Sequence, residues 1–366
     1  SRRPDPGAFA DLLGRMSAGG AEPYFGVFRR PEACFVRTVQ QLPDRADILY
    51  ADLATAYGSY FPLGVTLSLF YGRDSATLQK ACLDTAGIMS RHPWETTGAV
   101  VAALVTLQLM QAPPPGGGAG LAEAPGLLEA AAAGARRAED VWQEMRPGEE
   151  GAPPPHALSD ALSGLRERWD RLGMEALAAW ICENANRSLK TPVHHAAQGQ
   201  TLTLLPLALV LVLKQGGGYG AALARLAAHG READKLGALG GAWAGALYGA
   251  EGIPQALRSG LVNGREIKLR GEALMRRRTA KGKDLIPMEM GLTQKEAEEK
   301  RRYLPLETKK KTGPKKAAAG FWAEVEEEPD PLVEIREDPR RWRQFEREKS
   351  RKKKDRRKKP AAPDDF

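Results

Sequence analysis

Residues 229–254 read HGREADKLGALGGAWAGALYGAEGIP, and Gly237, Gly241, Gly245 and Gly249 recur in this stretch at every fourth position. On an α-helix, this spacing places all four glycines on one face, where the backbone of a neighbouring helix can approach closely. Glycine lowers helix stability by roughly 1 kcal/mol relative to alanine, so four glycines in one helix need a packing reason. The stretch therefore predicts a helix whose four glycines contact a neighbouring helix.

A short polar segment precedes this predicted helix and carries Glu232, Asp234 and Lys235. The segment, the glycine repeat and the following residues 252–254 (Gly-Ile-Pro) together resemble the C-terminal signature of the ADP-ribosylglycohydrolase family. In that family the corresponding loop reads Gly-Gly-Asp-Thr-Asp-Thr, and its two aspartates and last threonine help to hold a pair of magnesium ions. The resemblance implies that the three charged residues are vestigial metal-site positions, with a lysine in place of one ligand.

Other segments follow the family's order. Pro62-Leu63-Gly64 is similar to its Ala-Pro-Leu-Gly segment, and residues 90–93 (Ser-Arg-His-Pro) are similar to its Thr-His-Pro turn. The resemblance spans about residues 51–261 and implies a compact all-α domain. A histidine such as His92 caps or packs against a helix more often than it catalyses, so we expect a structural role for it.

Hydrophobic patterning predicts helices over residues 77–91, 97–111, 120–144, 159–186, 201–214 and 219–229.

The family's chemistry, as the resemblance implies it, requires a second carboxylate cluster from a Gly-Asp-Ala turn and a Thr-Asp-Asp run. Neither motif occurs in residues 1–60. An ammonium group offers no lone pair, so Lys235 is unable to ligate magnesium. We therefore expect no catalysis, no cofactor, no bound metal and no small-molecule substrate. In this hypothesis the charge of Lys235 lies between Glu232 and Asp234 in place of the ion, and the alternative is a solvated loop whose charges contribute little.

Other candidate metal ligands are unconvincing. His194 and His195 are adjacent, so their side chains point to different faces of a helix or strand and are poorly placed to share one ion. Cys34, Cys82 and Cys182 stand far apart without a C-x-x-C pair, which indicates core cysteines in a reducing compartment. No run reaches the roughly 18–20 apolar residues of a membrane span, so we expect no membrane partner.

Charge is distributed unevenly along the 366 residues. From residue 255 onward the chain carries 32 of its 54 lysines and arginines but 21 of its 46 aspartates and glutamates, a net charge of +11 against −3 for residues 1–254. A charge run is often only a solvated segment, but a basic extension on a near-neutral globule also indicates a polyanionic partner, nucleic acid first and acidic membrane second. The predicted nucleic-acid-binding residues are Arg276, Arg277, Arg278, Lys281, Lys283, Lys309, Lys310, Lys311, Lys315, Lys316, Arg351, Lys352, Lys353, Lys354, Arg356, Arg357, Lys358 and Lys359.

These observations divide the chain into three predicted parts. Residues 1–50 form an N-terminal arm, residues 51–261 the helical domain, and residues 262–366 a long basic extension. Asp338 is a good N-cap residue and Pro339 suits the first helical position, so the extension is predicted to contain a helix over about residues 339–359.

The function expected from the sequence is that of a non-catalytic structural subunit of a large ribonucleoprotein, with a mitochondrial ribosome as the first choice. Its basic extension would contact rRNA phosphates and neighbouring ribosomal proteins without base specificity. Two alternatives stay open: a protein with residual ADP-ribose binding or hydrolysis, and an accessory subunit of a protein-only organellar complex.

The chain starts with residues 1–3, Ser-Arg-Arg, as it would after removal of a targeting segment or after experimental shortening. We expect a location in the mitochondrial matrix, with the chloroplast stroma and the nucleus as alternatives.

Overall fold

The computed structural model of the chain describes residues 5–20, 24–29, 31–44, 57–72, 74–115, 120–149 and 151–303. Within these residues the fold is all-α, as predicted, and an isolated bridge between Phe25 and Phe28 is the only strand-like pairing. The α-helices are α1 (Pro6–Ser17), α2 (Ala33–Gln41), α3 (Leu63–Tyr71), α4 (Ser75–Met89), α5 (Pro93–Leu109), α6 (Ala124–Met145), α7 (Ala157–Arg168), α8 (Met174–Ala185), α9 (Thr201–Leu213), α10 (Gly218–Ala228), α11 (Ala233–Gly252), α12 (Gln255–Ser259), α13 (Gly264–Met275) and α14 (Leu285–Tyr303). A short 3₁₀ helix, Leu42–Asp44, follows α2.

Helices α5 and α9 form the centre of the fold. Every residue of α9 is buried, and so are most residues of α5. A helix that is apolar on all sides must be surrounded by other helices, and α9 packs against α5, α7, α8, α10 and α11. The predicted buried helices over residues 97–111 and 201–214 are therefore confirmed, each with slightly different ends.

The single helix predicted over residues 159–186 is wrong, because α7 and α8 are separate helices. The chain turns after Trp169, and Gly173 has the extended backbone of an N-cap residue (φ −73°, ψ 171°). This turn lets α7 and α8 pack against each other and against α9. Leu162 and Leu165 on α7, and Leu177 on α8, are buried in the same core cluster.

The packing role predicted for the four-residue glycine repeat is also wrong. A Cβ atom added at Gly237 or Gly249 would meet no atom within 4 Å. One at Gly241 would lie 3.7 Å from the Tyr219 hydroxyl, and one at Gly245 would lie 3.9 Å from the Tyr219 ring, so both would make only ordinary contact. Moreover, Gly249 has a non-helical backbone (φ 69°, ψ 175°) that kinks α11 near its end. The repeat face is therefore not the face that a neighbouring helix approaches most closely.

Close helix approach occurs at other glycines, among them Gly240 and Gly64. A Cβ at Gly240, one position before a repeat glycine, would come within 2.5 Å of the Leu226 side chain on α10. A Cβ at Gly64 on α3 would overlap the carbonyl oxygen of Ala99 on α5. The glycine of the Pro62-Leu63-Gly64 segment thus allows α3 to pack directly on the central helix.

The N-terminal helices lie against α4. Ala10 and Leu13 of α1 and Val39 of α2 share a buried cluster with Ile88 and Met89 of α4, among other residues. The described residues up to Tyr303 form one compact unit. In the described part of the chain, none of the helices combines the length and apolar character needed to cross a bilayer.

Charged contacts link the N-terminal segment to α14. Arg29 pairs with Glu289 at 3.3 Å and with Glu296 at 2.9 Å, and Lys300 donates a hydrogen bond to the Tyr24 hydroxyl at 2.8 Å. The helix predicted over about residues 339–359 lies outside the described residues and stays a prediction.

Alanine should have opposite effects on stability at a glycine that touches another helix and at a glycine that touches nothing. We expect Gly64→Ala to lower the free energy of unfolding by about 1–3 kcal/mol, because α3 and α5 must move apart to admit the methyl group. We expect Gly237→Ala to raise it by about 0.5–1 kcal/mol, because alanine favours the helix and the added methyl group meets nothing. Urea unfolding of both variants measures the two changes, and a stabilised Gly64→Ala protein would contradict the assigned packing.

Candidate functional site

Lys235 lies at the N-terminal end of α11, and its side chain is only 12% exposed. Its Nζ forms an ion pair with the Glu32 carboxylate, lies 3.0 Å from Oε2 of Glu232, and donates to the backbone carbonyl of Tyr57 at 3.1 Å. An ammonium group has three donors, so these three oxygens account for its hydrogen-bonding capacity. The Tyr57 ring also lies beneath the ammonium, with its centroid 5.9 Å from Nζ. The site is therefore a cation held by oxygens from three separate segments.

Electrostatics favour the charged form of this lysine. Burial opposes the charge, but hydrogen bonds and attraction from Glu32 and then Glu232 outweigh it, so the pKa of Lys235 is raised above its ordinary value. The second oxygen of Glu32 accepts a hydrogen bond from the Ser59 hydroxyl at 2.6 Å. Lys235 consequently stays an ammonium ion throughout the physiological pH range.

The predicted pairing of Lys235 is correct for Glu232 and wrong for Asp234. Asp234 is exposed and forms no ion pair within the described residues. Its place is taken by Glu32, which belongs to the N-terminal segment and which the sequence reasoning missed. The alternative of a fully solvated loop does not hold for Lys235, because its side chain is largely buried.

A buried carboxylate, that of Glu95, binds the loop that contacts Lys235. Glu95 on α5 is fully buried, and it accepts hydrogen bonds from the backbone N–H groups of Gly58 and Tyr60 and from the Thr201 hydroxyl, the last at 2.8 Å. Desolvation raises the pKa of Glu95, although these hydrogen bonds oppose the shift. The contacts fix the loop that presents the Tyr57 carbonyl to Lys235, so Glu95 is a positioning residue for the site.

His92 is the N-cap residue of α5. Its Nδ1 accepts a hydrogen bond from the Trp94 backbone N–H at 3.2 Å, which confirms the capping role expected from the sequence. Burial, with a smaller contribution from the charge of Lys190, lowers the pKa of His92 to about 4. The imidazole is therefore neutral at physiological pH.

The remaining predicted positions are spread over the surface or lie outside the described residues. Arg276, Arg277, Arg278, Lys281 and Lys283 are exposed on the segment that follows α13, where Arg277 donates to the Phe70 carbonyl at 2.8 Å and so caps α3. The predicted RNA-binding residues between 309 and 359 lie outside the described part of the chain.

The adjacent residues His194 and His195 have different surroundings. His194 is exposed, whereas the His195 ring packs edge-on against His229, with centroids 5.9 Å apart. Among the described residues, no group of three or more histidine, cysteine, aspartate and glutamate side chains is arranged to hold a metal ion.

A family model described as ADP-ribosylglycohydrolase matches residues 42–284, more than half of the chain. No curated protein matches the sequence. The matched region contains Glu95, Glu232, Asp234 and Lys235 but begins after Glu32. One carboxylate partner of the ammonium therefore comes from outside the family-matched region.

Removing the ammonium leaves two carboxylates facing each other. We expect Lys235→Met to lower the free energy of unfolding by about 1–3 kcal/mol, less than for a fully buried pair because Glu32 and Glu232 are about one-third exposed. Lys80→Met, which removes a half-exposed lysine paired with Asp84 one turn along α4, is the matched control and should change stability by under about 0.5 kcal/mol. Equal losses in the two variants, measured by urea unfolding, would contradict the central role of Lys235.

His92 generates a pH dependence. Its folded pKa of about 4 lies below the unfolded value of 6.5, so the unfolded chain binds an extra proton between these values and stability falls as the pH falls through that window. The full loss is about 3 kcal/mol. In His92→Asn, which keeps an N-cap side chain, we expect this part of the pH dependence to vanish in urea unfolding between pH 7 and pH 4. His194→Asn, at an exposed position, should keep it.

Proposed function

Because this chain belongs to the ADP-ribosylglycohydrolase family, we propose that it keeps the helical scaffold of the family without its catalysis. In this proposal it serves as a structural subunit of a ribonucleoprotein in the mitochondrial matrix, with the mitochondrial ribosome as the assembly. Its partners are rRNA and neighbouring ribosomal proteins, which it contacts through its basic C-terminal third.

The environment of Lys235 is the observation that supports the proposed absence of catalysis. The family resemblance places a magnesium ligand at this position, but the lysine brings an ammonium that already occupies the space between Glu32, Glu232 and the Tyr57 carbonyl. A bound divalent cation would have to displace that charge from oxygens to which it is hydrogen-bonded. The residues present therefore do not fit a magnesium ion.

The distribution of charged residues supports the proposal that the chain is a subunit of a ribonucleoprotein. Lysines and arginines exceed acidic residues by 11 from residue 255 onward, while the preceding residues are slightly acidic. In the described part of this basic region, the exposed cations at 276, 278, 281 and 283 follow directly after the packed helix α13. Clustered surface cations next to a folded scaffold suit phosphate contacts that position RNA without reading its sequence.

The test measures binding of the full chain to a fluorescent single-stranded RNA by anisotropy at salt concentrations from about 50 to 200 mM. We expect the logarithm of the affinity to fall linearly with the logarithm of the salt concentration. In the double variant Arg276→Gln, Arg278→Gln, the slope should become shallower by about 1 to 2, because two phosphate contacts are lost. Arg277 is left in place because it caps α3.

The matched control is Arg137→Gln with Arg187→Gln, which removes two exposed arginines of the helical region and should leave the slope unchanged. Salt-independent association, or purification of the native assembly without RNA, would contradict the ribonucleoprotein part and favour a protein-only complex. Magnesium-dependent release of ADP-ribose that is lost in Glu232→Gln would contradict the non-catalytic part and favour a residual hydrolase.

A further inference from the structure

Exposed apolar side chains are concentrated in one region of the described chain. Eight large hydrophobic residues are exposed there, and six of them lie at the end of α5, in α12, in α13 or between those two helices. Single exposed hydrophobics are normal on a protein surface, whereas a group of them marks an interaction site. The six residues are Met110, Leu257, Leu261, Val262, Ile267 and Met275.

An apolar row runs along the exposed side of α13. Ile267, Gly271 and Met275 follow one another at four-residue spacing, which places them on one face of the helix. A Cβ added at Gly271 would meet nothing within 4 Å, so no other part of the described chain covers the middle of the row. Leu261 continues the row, because its Cβ lies 3.3 Å from the place where a Cβ at Gly264 would be. The small glycines leave gaps into which side chains of another helix can pack.

The row ends at a cavity of about 350 Å³ that the last residues of α3, α5 and α13 form. Its apolar lining is open to solvent, since Met110 and Met275 are 40% and 53% exposed and Phe70 and Leu107 are partly exposed. Arg277 fixes the rim by donating to the Phe70 carbonyl at 2.8 Å. Methionine side chains adapt to varied partners and are frequent on surfaces that bind helices. The cavity therefore has room for an apolar side chain supplied by a partner.

Cations surround the row. Residues 264–283 contain eight lysines and arginines but only two glutamates. Arg270 is paired with Glu266 at 2.7 Å, whereas Lys268 and Arg276 are exposed and form no ion pair within the described residues. Arg276 also lines the cavity. A partner must consequently bring negative charge together with apolar side chains, and a second copy of the same surface would be repelled.

We propose that this surface binds an acidic amphipathic α-helix of a partner protein. The binding surface, named here the α13 surface, consists of Leu261, Ile267, Gly271, Met275 and the adjoining cavity. Such a helix lays apolar side chains at i, i+4 and i+7 into a groove, and its acidic residues would meet Lys268 and Arg276. The row from Gly264 to Met275 is about 16 Å long, which matches about three turns of a partner helix.

A helix explains more of the α13 surface than an anionic bilayer does. A bilayer would meet the exposed carboxylate of Glu272, which lies beside Gly271 in the row. It would also leave the gap at Gly271 without a shaped counterpart. The inference goes beyond the proposed function, because Lys268 and the apolar row are not among the predicted RNA-binding residues, although Arg276 is.

The test titrates the full chain into a fluorescent synthetic peptide and follows anisotropy. The peptide has about 14 residues of leucine, glutamate and alanine, arranged so that the leucines share one helix face. A second peptide has the same composition with the leucines distributed around the helix, and a third has lysine in place of glutamate. We expect the first peptide to bind at least roughly tenfold more tightly than either of the others.

Variants of exposed residues locate the binding. In Ile267→Ser with Met275→Ser, affinity for the first peptide should fall roughly tenfold or more, because two apolar contacts are lost. The matched control is Leu12→Ser with Met145→Ser, which removes the other two exposed large hydrophobics and should leave the affinity unchanged. Lys268→Glu should weaken binding at low salt and have a smaller effect at high salt.

Equal binding of the two acidic peptides, or an unchanged affinity in the Ile267→Ser, Met275→Ser variant, would overturn the proposal. So would two other results obtained without peptide binding. Sedimentation with phosphatidylserine-containing vesicles that this variant loses would assign the surface to a membrane. A dimer that dissociates in the variant would assign it to a second copy.

RNA binding by the same variant separates this inference from the proposed function. The Ile267→Ser, Met275→Ser protein keeps every cation, so its affinity for RNA and the salt dependence of that affinity should equal those of the wild type. If RNA fails to bind the wild-type chain while the acidic peptide binds, the proposed function fails and the α13 surface stands.

Discussion

The ammonium of Lys235 joins parts of the chain that are far apart in sequence. Glu32 precedes α2, Tyr57 belongs to the loop before α3, and Glu232 is the N-cap residue of α11. A largely buried cation must be compensated where it lies, so these oxygens have to meet at one point. The same loop is anchored from the other side by Glu95, whose carboxylate also binds Thr201 at the start of α9. The charged site is thereby connected to both central helices.

Much of the helical scaffold was predictable because it rests on local patterns. The apolar runs of α5 and α9 predicted buried helices, although α5 begins at Pro93, four residues before the predicted start. Helix ends without a clear capping residue or helix breaker were harder to predict. The turn at residues 169–173 was missed because the apolar pattern continues through it. The position of Lys235 at the foot of α11 was predictable from the resemblance, whereas its partner Glu32 was not. Nothing in a sequence separation of 203 residues indicates that two side chains meet.

The glycine repeat shows why a correct pattern led to a wrong contact. Spacing establishes which residues share a helix face, but it does not establish which face a neighbour approaches. Leu226 of α10 packs at Gly240, so the closest approach is displaced by one residue, about 100° around the helix, from the repeat. At Gly64 the contact involves the backbone of Ala99, and no side-chain pattern on α3 reveals it. Close contacts of this kind depend on the relative position of two helices, which is set by the rest of the core.

Charge balance explains how Lys235 is accommodated in a largely buried position. Two magnesium ions require several carboxylates, whereas one ammonium ion balances only one. Here Lys235 is shared by two carboxylates, each about one-third exposed, so water screens the remaining negative charge. Asp234 is exposed to solvent and needs no internal partner. The charge balance observed at Lys235 is supplied by the polypeptide itself, and it includes Glu32, which lies outside the family-matched region. Under the proposed function, the lysine at position 235 and its pairing with Glu32 are two parts of one electrostatic arrangement.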